Sequence, residues 1–196
     1  MSARDIGLLL SVAWLVGNPA YGTALVLSDG TVPAGETVRV SVSLNAQGDD
    51  QIANTRNDIH FDAPFHILPG KNGRPDCWQV ERATNIGYFS ASFMPMGCMP
   101  GVDCTGIRAQ FLDNEDTDTI ADGAVIYRCN VTIDANAAPG AHALRCDGTL
   151  MGGANGMKVD NAGCRNSTIT VLPCRGDCDG DGQVTIDELV TGINIA

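Results

Sequence analysis

Strict alternation of apolar and polar residues predicts two β-strands in the body of this chain. In residues 37–44 a valine or leucine occupies every second position, and threonine, arginine or serine fills the positions between. Residues 124–134 repeat the pattern with a second alternate set, namely Val125, Tyr127, Cys129, Val131 and Ile133. A period of two places one set on a buried face and the other toward solvent, so each run is expected to form a half-buried strand.

A turn follows the second of these strands. Residues 138–140 read Ala-Pro-Gly, and the alternate residues His142, Leu144 and Cys146 continue an inward face on the returning run. We therefore predict a β-hairpin in which Ile133 pairs with His142.

Shorter strands are expected elsewhere in the body, separated by turns rich in Gly, Pro, Asn and Asp. They are predicted at residues 25–27, 57–61, 87–93, 107–112 and 167–172. Apart from the C-terminal tail, no long segment has a helical period. The fold class is accordingly all-β, an antiparallel sandwich.

The tail carries the most specific motif in the chain, residues 177–188, which read DCDGDGQVTIDE. Calcium takes 6–8 oxygen ligands, and this spacing offers them at the positions of an EF-hand loop, with glycine at the sharp turn. A solvated acidic turn is the alternative, but it has no need of Gly182. The predicted Ca²⁺ ligands are Asp177, Asp179, Asp181, the Gln183 carbonyl, Thr185 and Glu188.

After this loop, apolar residues recur at the spacing of an amphipathic helix, at Ile186, Leu189, Val190 and Ile193. Before it, Pro173 and Gly176 exclude an entering helix. Residues 173–196 thus resemble the dockerin type of calcium repeat, a loop followed by a helix. The chain has one such repeat where dockerins have two, and it ends the loop in Glu where they usually have Asp.

The body has a resemblance of its own. Residues 32–38 (VPAGETV) and 59–62 (IHFD) look like the opening of a cohesin domain, and residues 120–125 (IADGAV) and 131–140 look like its late hairpin. The resemblance spans most of residues 25–172 and implies a nine-stranded jelly-roll.

The N-terminus is expected to be an export signal. Arg4 precedes an apolar stretch at residues 6–16, and small residues suited to cleavage follow at 20–22 or 22–24. A retained anchor or a buried strand is the alternative. About 11 residues are too few for a membrane span, and no other stretch could cross a bilayer. The predicted organisation is a signal peptide (1–24), a cohesin-like sandwich (25–172) and one calcium repeat (173–196).

Eight cysteines, all beyond the signal, are typical of an oxidising compartment. Cys129 and Cys146 become opposite each other in the predicted hairpin, so we expect them to form a disulfide. Zinc binding is disfavoured because no C-x-x-C pair is present. The other expected pairs are Cys98–Cys104, Cys174–Cys178 and, by elimination, Cys77–Cys164.

The net charge of −11 makes nucleic acid and anionic membranes poor partners. No set of residues stands out as a catalytic site, so we predict that the protein is not an enzyme. The leading hypothesis is a secreted or cell-surface calcium-binding protein that assembles with a protein partner of the cohesin/dockerin type. The alternative is a module that binds extracellular polysaccharide and uses calcium as a structural clip. Trp78, Tyr88, Phe89 and Phe93 are candidates for an aromatic sugar platform, but with only 5% aromatic residues we expect them to pack in the core.

Overall fold

The computed structural model describes residues 22–80, 87–112, 119–172 and 183–186. Nearly all of the predicted export signal and most of the predicted calcium loop lie outside these residues. The described body is built from twelve strands. In chain order they are β1 (Ala24–Leu27), β2 (Gly30–Pro33), β3 (Thr37–Asn45), β4 (Ile52–His60), β5 (Phe65–His66), β6 (Cys77–Gln79), β7 (Tyr88–Met94), β8 (Gly106–Leu112), β9 (Val125–Ile133), β10 (Gly140–Gly153), β11 (Gly163–Arg165) and β12 (Ser167–Leu172).

The strands form two sheets that pack face to face. The first sheet has the order β11-β1-β3-β9-β5, and β6 pairs with β9 along the same edge as β5. The second sheet has the order β2-β12-β10-β4-β8-β7. All pairings are antiparallel except β1 with β11 and β2 with β12. The predicted all-β antiparallel sandwich is confirmed.

Two strands pass from one sheet to the other side by side. The chain leaves the first sheet at Leu27 and enters the second at Gly30, while Asn166 separates β11 from β12. Ser28 links the two crossing segments, because its carbonyl accepts a hydrogen bond from the Ser167 hydroxyl at 2.8 Å. Counting β1 with β2, β5 with β6 and β11 with β12 gives nine strand runs, the number that the cohesin resemblance implies.

The core lies between the sheets and is filled by alternate residues of each strand. On β3 the inward residues Val40, Val42 and Leu44 are buried, as the alternation predicted. On β9 the alternation is interrupted, because Tyr127 pairs with Val42 and Val125 with Ser43. Ile126 is the extra residue of this bulge and is buried, although the sequence pattern predicted that it faces solvent.

The predicted hairpin is wrong. Strand β9 belongs to the first sheet, and β10, which follows the 138–140 turn, belongs to the second. Ile133 pairs with Phe65, and His142 pairs with Ile169. Alternation indicates which side chains point inward, but both sheets point inward toward the same core. The pattern is therefore the same whether the chain turns back beside itself or crosses to the opposite sheet.

This topology also changes the disulfides. Cys129 is joined to Cys77 of the adjacent β6, with 4.1 Å between their Cα atoms. Cys146 is joined to Cys164 across the two sheets, with a Cα separation of 5.6 Å. The predicted Cys129–Cys146 and Cys77–Cys164 pairs are therefore wrong, because Cys129 and Cys146 lie on different sheets and each has a nearer partner.

The other two predicted pairs have different outcomes. Cys98–Cys104 is present and closes the small loop between β7 and β8. Cys174 and Cys178 lie outside the described residues, so that pair remains a prediction.

A buried hydrogen bond joins the two sheets through the core. The Tyr127 hydroxyl on β9 donates to Asn57 Oδ1 on β4 at 2.8 Å. The Asn57 amide in turn donates to Cys146 Sγ at 3.4 Å. Burial raises the pKa of the Tyr127 hydroxyl well above its usual value, so this tyrosine stays neutral in the folded state.

Tyr127→Phe should lower the free energy of unfolding at neutral pH by about 1–2 kcal/mol, because it leaves the buried Asn57 oxygen without its donor. The folded state raises the Tyr127 pKa, so wild-type stability is present below pH ~10 and falls above it, where only the unfolded tyrosine ionises freely. Urea titrations between neutral and alkaline pH test this. The variant should lack that part of the alkaline loss, and Tyr88→Phe, at an exposed tyrosine, should behave as wild type. Equal neutral-pH losses in both variants would contradict the role of the buried bond.

Candidate functional site

The predicted calcium loop lies largely outside the described residues. Asp177, Asp179, Asp181 and Glu188 are not among them. Gln183 and Thr185 are described, and both are exposed, as are the adjacent Val184 and Ile186. The assignment of a Ca²⁺ site therefore stays a prediction that rests on the spacing of the ligands.

The aromatic residues weighed as a sugar platform do not share a surface. Trp78 lies on β6 in the first sheet, whereas Tyr88, Phe89 and Phe93 lie on β7 in the second. Phe89 points inward and stacks on Tyr127 with 5.0 Å between ring centroids. Only Tyr88 of this group is largely exposed. No described surface therefore offers the row of aromatic rings that a polysaccharide chain would need.

The outer face of the first sheet is polar and internally bonded. Arg39 lies over the Trp78 ring, 5.3 Å from its centroid. Arg128 donates to the Ser41 hydroxyl at 3.3 Å, and the Thr37 and Thr132 hydroxyls are 3.1 Å apart. These side chains satisfy one another, so this face has little unpartnered apolar area to offer another molecule.

The outer face of the second sheet is different in character. Strands β7, β8, β4 and β10 are adjacent there, and their pairing places outward residues in rows across the sheet. In two of these rows most residues are polar or charged, and the third row also contains a methionine and a glycine. The rows are Ser90–Gln110–Arg56–Leu150, Ser92–Arg108–Asp58–Asp147 and Met94–Gly106–His60–Arg145.

The middle row is held by a two-pronged ion pair. Arg108 Nε donates to Asp58 Oδ1 at 2.7 Å, and Arg108 Nη2 donates to Asp58 Oδ2 at 2.6 Å. The Asp58 side chain is only 9% exposed, whereas Arg108 is 40% exposed. The hydrogen bonds to Asp58 raise the pKa of the Arg108 guanidinium, and partial burial opposes this effect. The pair fixes both side chains in the plane of the face.

Gly148 makes room for this pair. A Cβ atom at Gly148 would lie 2.8 Å from Asp58 Oδ2, and its φ of +61° is a conformation that disfavours other residues. It sits at the irregularity in the β4–β10 pairing, where the register shifts between Asp147 and Leu150. The bulge therefore places Leu150 on the outer face beside Arg56.

Further polar and charged side chains lie toward one end of the sheet. His60 Nε2 and Asp147 Oδ1 are 2.8 Å apart, and Arg145 pairs with Asp62. Arg108 with Asp58 and Arg145 with Asp62 are thus ion pairs on this face, and His60 is bonded to Asp147. Each of these described charges has a partner, which fixes the pattern of potential that an incoming molecule would meet.

Apolar side chains are exposed at the opposite end of the same face. Leu112 and Leu150 flank a groove of about 450 Å³ and are 43% and 41% exposed. Tyr88 pairs with Leu112 on the neighbouring strand and is also exposed. We call this feature the Leu150 groove; its remaining lining includes Arg56, Gln110, Met151 and Lys158.

The sequence analysis did not identify this face. A usable signal was present at Leu112, which occupies an outward position of β8 in phase with Arg108 and Gln110. An apolar residue at a solvent-facing strand position is unusual and marks a candidate contact surface. Leu150 gave no such signal, because the bulge that turns it outward is set by pairing with β4.

Sequence comparison yields no relative. No protein-family model matches the chain, and no curated protein matches it.

Solved structures do match, among them several cohesin domains. A non-cellulosomal cohesin from the hyperthermophilic archaeon Archaeoglobus fulgidus is 14% identical, with a TM-score of 0.57 over 77% of this chain and 91% of that chain. The seventh ScaB type I cohesin from Pseudobacteroides cellulosolvens is 20% identical, with a TM-score of 0.57 over 78% and 93%. The sixth cohesin of scaffoldin B from Acetivibrio cellulolyticus, solved with a Cel5 dockerin, is 17% identical, with a TM-score of 0.58 over 77% and 99%.

At these identities the similarity concerns the fold. The chain has the β-sandwich fold of cohesin domains, which confirms the fold expected from the sequence. No helix in the part of the chain that the structure describes is long and apolar enough to cross a membrane.

Proposed function

We propose that this protein is a secreted, non-catalytic assembly module that binds a protein partner of the dockerin type on the outer face of its second sheet. The observation that carries the proposal is the Leu150 groove beside the row of paired charges. Fixed charges set the orientation of a partner, and exposed apolar side chains supply affinity when they are covered. The cohesin fold and the dockerin bound in a solved complex of one structural neighbour support this choice of partner.

The calcium repeat is the second part of the proposal. Gln183 is expected to contribute its carbonyl and Thr185 its hydroxyl, either directly or through water, and four carboxylates complete the ligand set. Bound calcium would hold residues 177–188 in a closed loop and fix the direction of the segment that follows. The sandwich would then be the receptor part of the chain, and the tail its calcium-dependent part.

Export to an oxidising compartment is the third part of the proposal, and the cysteines of the sandwich support it. Three disulfides join cysteines of the described body, and such bonds persist outside the cytosol. The predicted N-terminal export signal is consistent with this location.

Leu150→Arg should weaken binding to calcium-loaded, two-repeat dockerin modules by at least ~30-fold, because central interface residues commonly contribute about 2 kcal/mol or more. Biolayer interferometry against a panel of such modules measures the effect. Leu172→Arg is the matched control, since Leu172 is 42% exposed on the same sheet but lies at the far end of β12. It should change affinity less than about twofold. If both substitutions weaken the affinity equally, the groove is not the binding surface. If no module of the panel binds, the proposed class of partner is wrong.

A further inference from the structure

Two cationic residues, Arg56 and Lys158, line the Leu150 groove. Arg56 Nε is buried and has no hydrogen-bond partner among the described residues. Lys158 lines the same groove and is exposed. Arg56 and Lys158 give the lining of the groove a positive charge, so an occupant that carries a carboxylate would be favoured there. Together with Leu112 and Leu150, the groove is suited to an aliphatic side chain that has an acidic residue next to it.

The tail of this chain has that chemistry. Val184 and Ile186 are 46% and 79% exposed, so nothing in the described body covers them. In the sequence, Ile186 is followed directly by Asp187, which stands at loop position 11 and is not one of the predicted calcium ligands. An aliphatic residue thus adjoins an acidic one in a segment that belongs to a chain with a cationic, apolar groove. Charge and apolar character are complementary between the two.

The length of the segment between β12 and the calcium loop decides whether the tail can bind the groove of its own chain or only that of another. β12 ends at Leu172, beside the beginning of β10, because Val171 pairs with Gly140. Leu150 is ten residues further along β10, roughly 30 Å away at strand spacing. The five residues from Leu172 to Asp177 span at most about 18 Å. A loop closed on calcium adds only its own width, roughly 10 Å.

The calcium-loaded tail would therefore need a fully extended linker even to approach its own groove, whereas the groove of a second copy is open to it. We infer that Val184, Ile186 and Asp187 of one chain bind the Leu150 groove of a second copy, so that calcium drives head-to-tail assembly of this protein. The inference rests on the proposed function, since it names the partner of the same face. Groove and tail are different surfaces, so each added copy leaves one of each free and the assembly is open-ended.

Two substitutions separate this arrangement from other kinds of self-association. Leu150→Arg disables the groove and leaves the tail intact, whereas Ile186→Arg disables the tail and leaves the groove intact. Ile186 is at loop position 10, which is not a ligand position, so calcium uptake should be unchanged. Calorimetry of Ile186→Arg checks this, and circular dichroism checks that both variants fold.

Sedimentation velocity over a protein concentration series, with calcium or with a chelator, tests the inference. Wild type should form species larger than a dimer in calcium and stay monomeric in chelator. Each variant alone should be monomeric in calcium, with association weakened at least tenfold. An equimolar mixture of the two should form a 1:1 heterodimer and stop there, because only one intact tail and one intact groove remain.

Several results of the sedimentation experiment would contradict the inference. Wild type that stays monomeric in calcium, an Ile186→Arg variant that assembles as wild type, or a mixture that fails to form the heterodimer would each overturn it. If wild type stops at a dimer and the mixture of the two variants stays monomeric, the interface is symmetric instead. If wild type is monomeric but binds a dockerin module of the panel, only the self-assembly is wrong. If it does neither, the proposed function fails too.

Discussion

Replacing Cys77 and Cys129 together by alanine should lower the free energy of unfolding by about 4 kcal/mol. Their bond joins residues 52 apart in the sequence, and Cys129 lies in the core. In the chain-entropy model, a cross-link restricts the unfolded chain more when it closes a longer loop. Guanidinium denaturation of the double variant under oxidising conditions measures the loss.

The other two disulfides provide graded controls. Cys146–Cys164 joins residues 18 apart and should contribute about 3 kcal/mol. Cys98–Cys104 joins residues only 6 apart and should contribute about 2 kcal/mol. Peptide mapping without reduction should recover these three pairs. A Cys129–Cys146 peptide, or a larger loss from the short loop than from the long one, would contradict the structure.

Glu188→Ala should abolish calcium uptake in the millimolar range. The residue stands at loop position 12, where a bidentate carboxylate supplies two of the ligands, and extracellular loops of this type bind calcium at about 10⁻⁴–10⁻³ M. At such affinity, the loss of two oxygens leaves too few ligands to replace the hydration shell. Isothermal calorimetry should find one ion per wild-type chain and none for the variant.

Gln183→Ala is the matched control within the same loop. Position 7 contributes its backbone carbonyl, which alanine keeps, so affinity should change by less than a few fold. Equal calcium uptake by wild type and Glu188→Ala would reject the site, and complete loss from Gln183→Ala would mean that its side chain has an unexpected role.

Local pattern predicted most of the strands. Residues 167–172 form β12 as expected, and the 37–44 run forms β3 with one further residue. The 57–61 strand was predicted too short, because β4 begins at Ile52. In Ile52–His60 several polar residues are buried, among them Thr55 and Asn57, so hydrophobic alternation is masked. Very short strands such as β5 and β11 were missed because two or three residues carry no period.

The two proposed binding sites also differ in whether local sequence indicates them. The calcium motif lies in consecutive residues, so a ligand set can be predicted from the sequence alone, and it stays a prediction. The Leu150 groove is assembled from β4, β8, β10 and the residues that follow β10. Its parts are distant in sequence, and only strand pairing brings Arg56, Leu112 and Leu150 together.

Local sequence was sufficient to predict the inward face of β3 and most of that of β9, the all-β class and the spacing of the calcium ligands, because each depends on neighbouring residues along one strand or loop. The sheet that each strand joins depends instead on the complete fold. The same is true of the disulfides that join Cys129 to Cys77 and Cys146 to Cys164. A buried face meets the same hydrophobic requirement on either sheet, so alternation cannot distinguish them. Contacts between residues far apart in the sequence, such as the buried bond from Tyr127 to Asn57, make that choice.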